Sequence, residues 1–407
     1  MLHSTIPPAV RRSDALHRRV RQFAAQSVES MPDVDEDSTF TALALDIARF
    51  QAEHSPGFAR LLGCPPSDLR DLADLPLLPS DAFRWTRVAL HPPQLDACRF
   101  QTSGTTSTAP GVHPVRELRT KQELALIQAK QTLFQTGPGI VVSLFDARKR
   151  SSSSLGHLMQ LLMEHFDGRP LVSDPKGAAF SIDEPGRWLV GPGGVDVDGL
   201  RRAFWLARHR MEPLYLLATG FSLAAMLEAL DGEQLHSPAR FRVMITGGFK
   251  GQKVQLDETS LRERLAQACR LEPNHIIGEY GMTELTSQLF EQPLFEPTDR
   301  PPTGGTMSER WWQRSGPPGR YFCPPWLRAQ AVDPATYASL PDGQPGLCHL
   351  IDLGNVDSCL SVVTQDIVRT CQGAVELCGR ATKAPARGCS LPFEGLLLPS
   401  ANAELEG

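Results

Sequence analysis

The chain has 407 residues, 41% apolar and 21% charged, enough to bury a full core and too many for one small domain, so two or three subdomains are expected. A formal charge of −5, from 41 basic and 46 acidic residues, sets up no field that would attract nucleic acid or an anionic membrane. No apolar run reaches the roughly 18 to 20 residues of a bilayer span, and the best candidate, 213–227, contains Thr219, Gly220 and Ser222. Nine cysteines with no C-x-x-C pair argue against a disulfide framework and a zinc site. Arg11, Arg12, Arg18 and Arg19 stand where a signal peptide would need an apolar core, so a cytoplasmic location is expected.

Between 13 and 60, Leu16, Val20 and Phe23, then Phe40, Leu43, Ile47 and Phe50, recur at the spacing of core-facing helices. Pro76 and Pro79 break that pattern in an extended run over 71–85. A helix is predicted over 116–134, a buried strand over 139–145, and a helix over 155–166 behind four consecutive serines. Farther on, 213–220 reads as strand into turn and 222–230 as helix. FRVMITGG reads as a strand running into Gly247 and Gly248, and 260–270 as helix. Strand alternating with helix predicts an α/β fold of layered sheets covered by helices. Proline and glycine then crowd 297–346, and the short runs 326–333, 346–352 and 359–368, separated by turns such as Pro341-Asp342-Gly343, predict a small β subdomain. The expected organisation is an N-terminal helical segment leading into the core (1–95), an α/β core (96–296), a Pro/Gly-rich region with the β subdomain (297–380) and a short tail (381–407).

The stretch FQTSGTTSTAPGVHP, 100–114, concentrates hydroxyl side chains and glycine. Glycine lets backbone approach a ligand closely, and Ser and Thr hydroxyls beside backbone N–H groups suit phosphate oxygens. A polar surface loop would share that composition. Two further segments follow in order: GEYGMTELTSQLF at 278–290, and VVTQDIVR at 362–369 with CGR at 378–380.

In this order and spacing the three segments resemble the adenylate-forming enzyme superfamily, over about 75–380. The closer resemblance is to its acyl-protein synthetase branch, on LPLLPSDAF ahead of the loop, ITGGFKG, LIDLGNVDS, and ARGCSL near the C-terminus. The resemblance implies the superfamily's large-domain fold, with ATP and Mg2+ as cofactors and 96–296 binding nucleotide and acyl chain. Two departures accompany it. Ser107 replaces a usual glycine and no lysine follows Pro110. Only 27 residues follow Arg380, too few for the superfamily's C-terminal lid with its lysine, so no full lid domain is expected.

By the resemblance, Thr102, Ser103, Gly104, Thr105 and Thr106 contact the ATP phosphates, with Gly247 and Gly248 beside them. Tyr280, followed by Gly281, stacks on adenine. Thr283 hydrogen-bonds near the α-phosphate, and Glu284 holds magnesium as a hard oxygen ligand. Asp366, at the end of an apolar strand, accepts from the ribose hydroxyls, and Arg380 reaches ribose or phosphate. Lys250 replaces part of the missing lid charge. Thr219, Gly220 and Phe221 border the acyl pocket, and Cys389 receives the acyl group. Each has a plainer reading: a solvated carboxylate for Glu284, a paired structural aspartate for Asp366, solvated cations for Arg380 and Lys250, and a helix-entry turn for 219–221. Cys389 follows Arg387 and Gly388, where a thiolate could be accessible, although a lone cysteine is more often inert. His157 and His165 are read as core or surface histidines.

The implied reaction is attack of a carboxylate on the α-phosphorus of ATP, giving acyl-adenylate and pyrophosphate, and then transfer to a thiol. Charge developing on phosphate oxygens requires donors and a metal aimed at it. The expected substrate is a carboxylic acid, fatty by the resemblance, and the expected acceptor is a protein cysteine. An acyl-accepting reductase, a carrier protein or coenzyme A are the alternative partners. A nucleotide-binding regulatory protein that kept the fold and lost catalysis is the alternative of another class.

Overall fold

A computed structural model describes residues 7–29, 36–102, 110–146, 152–167, 187–191, 193–247, 257–291, 318–371 and 373–381. The chain divides into two compact units. The first comprises Met1–Val20, Asp35–Leu118 and Pro325–Gly407, and the second Arg21–Val34 and Arg119–Pro324.

Helix α1 (Pro8–Glu29) starts on a proline, which lacks only an N–H that would be unpaired there in any case. Helix α2 (Glu36–His54) opens on two acidic residues and closes on His54, matching the helix dipole at both ends, and buries Phe40, Leu43, Ile47 and Phe50. In α3 (Pro56–Leu62), the Ser55 hydroxyl accepts from Phe58 N at 3.1 Å, and Gly63, at φ 72°, ends the helix in the left-handed conformation. Strand β1 (Leu78–Pro79), helix α4 (Ala82–Trp85) and the antiparallel pair β2 (Cys98–Gln101) and β3 (Val112–Val115) follow. Past β2, Thr102 N donates to Gly111 O at 2.9 Å, and Gly111 N donates to Thr102 Oγ1 at 2.8 Å, closing the base of the hydroxyl-rich loop.

Next come α5 (Leu118–Gln131), β4 (Ile140–Ser143), α6 (Ser154–Phe166), β5 (Val190–Gly191), β6 (Gly194–Val195) and α7 (Val197–Arg210). Then follow β7 (Leu214–Thr219), α8 (Gly220–Ala229), β8 (Phe241–Thr246), α9 (Glu258–Cys269), β9 (Ile276–Tyr280), β10 (Leu289–Glu291) and β11 (Arg320–Phe322). In the second unit β4, β7, β8 and β9 pair in parallel, in that order, and β10 and β11 extend the sheet antiparallel. Side chains alternate across it. Leu216, Ala218, Val243 and Ile245 pack with α7, α8 and α9, whereas Tyr215, Leu217, Met244 and Ile277 pack with α5 and α6. Both faces are covered, which is why β7 and β8 read as largely apolar runs, interrupted in β8 by buried Arg242, which donates to Thr132 O at 3.2 Å. Removing one such side chain, as in Leu216→Ala, should cost about 2–5 kcal/mol.

The first unit is completed by β12 (Leu327–Val332), β13 (Gly346–Asp352), β14 (Ser361–Cys371) and β15 (Ala374–Arg380), successive antiparallel neighbours, with β1 parallel to β14. The predicted turn is present, with Gly343 at φ 84°. Asp366 lies in the middle of β14 and not at its end. The apolar run stops at Val363, but backbone pairing with β15 carries the strand on from Asp366 to Cys371, with Gln365 and Arg369 exposed and Val368 and Thr370 buried.

The LIDLGNVDS segment lies inside this unit. Gln51 of α2 donates to Asn355 O at 2.8 Å and Val356 O at 3.1 Å, and accepts from Leu360 N at 3.2 Å. Buried Asp357 accepts from Ser13 Oγ and from Arg116 Nε at 2.8 Å, and lies 3.0 Å from His17 Nε2. Burial alone would raise its carboxyl. The hydrogen bonds and charges of His17 and Arg116, with Ser13, outweigh that and hold it well below the usual carboxylate range. No helix among the described residues is long and apolar enough to cross a membrane.

Candidate functional site

Parallel strands present their C-terminal ends at one edge, where α/β folds bind ligands. In the second unit β8 ends at Thr246 and turns through Gly247, at φ 81°, while β9 ends at Tyr280 and continues into Gly281. Thr246 and Glu279 are register partners, and the Thr246 hydroxyl donates to Glu279 Oε2. A Cβ on Gly281 would come within 2.5 Å of Glu279 Oε1, so the carboxylate lies directly against the backbone of that turn. Burial pushes the Glu279 carboxyl up to about 7, with Thr246 and the Lys121 charge pulling the other way.

The segment after Tyr280 is held from several sides. Lys121, buried on α5, donates from Nζ to Leu285 O at 2.8 Å and to Thr286 O at 3.3 Å. Thr283 Oγ1 lies 3.2 Å from Ser154 Oγ in the first turn of α6, which Ser153 caps by accepting from Gly156 N at 3.0 Å. Glu284 is buried. The Tyr280 ring stands edge-on to Tyr321 with centroids 6.2 Å apart. Behind it, Glu291 accepts from Gly278 N at 2.6 Å and from Arg262 at 2.9 Å. A Cβ on Gly278 would come 2.8 Å from both the Glu291 carboxyl carbon and the Tyr321 hydroxyl, so any larger residue would have to push one of those side chains aside.

The remaining predicted residues are placed as follows. In the first unit, Asp366 and Arg380 are cross-strand partners with Arg380 Nε 3.8 Å from Asp366 Oδ1, both partly exposed. Thr102 is engaged in closing its loop. In the second unit, Thr219 is the N-cap of α8 in a reciprocal capping box with Ser222: Ser222 N donates to Thr219 Oγ1 at 3.2 Å, and Thr219 N donates to Ser222 Oγ at 2.9 Å. Gly220 is buried and Phe221 half-buried behind it, as the helix-entry reading requires. His157 is half-buried and held below its usual range by burial and the Lys121 charge, while His165 is exposed. Ser103, Gly104, Thr105, Thr106, Gly248, Lys250 and Cys389 lie outside the described residues.

Among the described residues no three His, Cys, Asp or Glu side chains converge as a metal cage. Cys64 and Cys378 are exposed, whereas Cys269 and Cys359 are buried, burial pushing both thiols up to about 12. Sequence reasoning missed Lys121, Ser154 and Glu279. The available signals were a carboxylate ending the apolar strand Ile276–Tyr280 and the serine run before α6.

No protein-family model matches the chain. The long-chain-fatty-acid–luciferin-component ligase of Vibrio harveyi is 30% identical over 168 residues, 39% of this chain and 38% of that protein, so the match spans well under half of the relative. A structure of 2-hydroxyisobutyryl-CoA ligase in the postadenylation state with 2-HIB-AMP aligns with a TM-score of 0.58 at 16% identity, over 93% of this chain and 73% of the ligase. An open conformation of that ligase with 2-HIB-AMP and CoA gives 0.56 at 16% identity, over 88% and 77%. The chain has the α/β fold of these acyl-adenylate ligases, and it has sequence similarity to a fatty-acid ligase.

Proposed function

We propose that this protein activates a carboxylic acid, a fatty acid, with ATP and passes the acyl group to a thiol. The observation that carries the reading is the Tyr280-Gly281-Met282-Thr283-Glu284 turn at the C-terminal end of β9, with Thr283 against the start of α6 and Glu284 buried beside it. A carboxylate oxygen attacks the α-phosphorus, the new bond is C–O–P, and pyrophosphate leaves with the electrons of the broken Pα–O bond. A thiolate sulfur then attacks the carbonyl carbon of the acyl-adenylate, forming the C–S bond of a thioester as the C–O bond to phosphate breaks and AMP leaves with its electrons.

In this reading the Thr283 hydroxyl, oriented by Ser154, donates to an α-phosphate oxygen, and Tyr280 offers its partly exposed ring to adenine. Asp366 accepts from the ribose hydroxyls, and Arg380 beside it offsets the added charge. Thr102, Ser103, Gly104, Thr105, Thr106, Gly247 and Gly248 provide phosphate contacts, Lys250 a cation, and Phe221 with Thr219 and Gly220 an acyl-pocket wall. A single buried carboxylate, Glu284, suits a Mg2+ that keeps waters and phosphate oxygens as its other ligands. When bound, that ion would neutralise triphosphate charge. Cys389 is the proposed acyl acceptor, from which an acyl-accepting reductase or carrier protein would draw. ATP and reduced thiols as reactants fit a cytoplasmic setting.

The test is ATP–pyrophosphate exchange across a panel of carboxylic acids, followed by intact-mass measurement without added thiol. Long-chain acids should support exchange, and the protein should gain one hydroxylamine-sensitive acyl group that Cys389→Ser abolishes. Absence of exchange with every acid would overturn the reading. Exchange with acylation of coenzyme A alone would move the acceptor off the protein.

A further inference from the structure

The Glu279 carboxylate joins two turns at once. Through Oε2 it takes a hydrogen bond from Thr246, the last residue of β8 before Gly247, and through Oε1 it lies against Gly281, the first residue past β9. These are the segments that the activation reading assigns to nucleotide phosphates and to Thr283 and Glu284. Glu279 is 5% exposed, and a Cβ at Gly281 would displace its carboxylate. It therefore braces the turn from within and does not face reactants. We propose that Glu279 is a positioning residue for adenylation, fixing the ends of β8 and β9 so that Thr283 and Glu284 are presented in working geometry; this rests on the activation reading above.

A purely structural role would be served better by glutamine. Gln has the same length, keeps one oxygen to accept from Thr246 and brings no ionisable group into the core, but it puts an NH2 donor where the carboxylate sets Oε1 against Gly281, so it removes that second contact alone. Burial penalises the charged form of Glu279 strongly enough to move its carboxyl to about 7. The Lys121 ammonium that acts on it is held by two backbone carbonyls of the same loop. A carboxylate buried between the ends of β8 and β9, at a cost to stability, is a candidate functional group on geometry as well as charge.

Glu279→Gln should lower kcat for acid-dependent exchange roughly 10- to 100-fold, leave KM for the acid unchanged, and raise the melting temperature above pH 7. Thr246→Val should reproduce the kcat loss and Thr246→Ser should restore it. Wild-type turnover in Glu279→Gln would overturn the positioning role while leaving the activation reading intact. Lost turnover accompanied by a lower melting temperature would overturn it too, marking Glu279 as structural. If the folded wild type shows no exchange with any acid, the activation reading itself fails and the proposal falls with it.

Discussion

Each unit holds more than one buried carboxylate, and two of them, Asp357 and Glu279, behave in opposite ways. Asp357, in the first unit, is ringed by Ser13, His17 and Arg116, and its carboxyl is held well below the usual range despite burial. Glu279, in the second, has the Thr246 hydroxyl against it and the Lys121 charge nearby, and is pushed up to about 7. Desolvation acts on both in the same direction, so the partners decide the outcome. The first arrangement ties α1 and Arg116 to the loop before β14. The second leaves a carboxylate under strain where two turns begin.

The largest test of that contrast is Arg116→Met, which strips the guanidinium from Asp357 and leaves a buried charge under-compensated. A loss of about 3–5 kcal/mol in urea unfolding is expected, and a loss below about 1 kcal/mol would mean that the partners are not what separates the two carboxylates. The pH dependence of stability sharpens it next. Glu279 binds its proton more tightly folded than unfolded, so its contribution to stability is present below about 4.5 and is lost as pH rises to about 7. Buried His349, lowered to about 4 by desolvation, has the reverse sign: the unfolded chain takes up a proton below about 6.5 and the folded chain resists until about 4, so stability falls with acid across that window. Each should be worth on the order of 3 kcal/mol. Unfolding free energies of Glu279→Gln and wild type should therefore diverge between pH 5 and 8, and parallel curves would refute the assignment.

A third measurement separates activity from stability at Glu284. Glu284→Gln should cut exchange roughly 100-fold with an unchanged unfolding midpoint. Full exchange in the folded variant would take Glu284 out of the mechanism. The smallest effect should come from Arg380→Ala, because the Arg380–Asp366 pair is 3.8 Å apart and partly exposed. A stability change within about 0.5 kcal/mol is expected, and a change several times larger would show that burial is a poor guide to which carboxylates here support the fold.

How much of this could be read from the sequence follows from distance along the chain. Leu214–Thr219 and Phe241–Thr246 announce themselves because sheets covered on both faces need strands that are largely apolar, Arg242 being the exception. The Tyr280–Glu284 segment was legible through its resemblance to the adenylate-forming superfamily, and the Thr219–Ser222 cap is a short-range pattern. Lys121 was not legible. A lysine on an amphipathic helix reads as solvated, and its carbonyl acceptor on Leu285 lies 164 residues away. Glu279 stood in the quoted motif, but only the parallel register beside Thr246 shows that its carboxylate turns inward. Asp366 was placed at a strand end because hydropathy falls after Val363. Backbone pairing does not depend on hydropathy, so the ladder continued. The alliance of 35–118 with the last four strands rests on contacts such as Leu78 with Val362, which no local pattern encodes.

Burial of Cys269 and Cys359 also gives the chemist a means of sorting thiols. With both held protonated far above neutral pH, a brief exposure to iodoacetamide should tag the surface pair Cys64 and Cys378 and leave those two untouched until the protein unfolds. Two tagging steps, one before and one after denaturation, would then date each cysteine's reactivity by peptide mass. A thiol shielded from the first step only when acid and ATP are supplied, and freed again by hydroxylamine once they are removed, would reveal itself as one carrying acyl cargo, without any substitution in the chain.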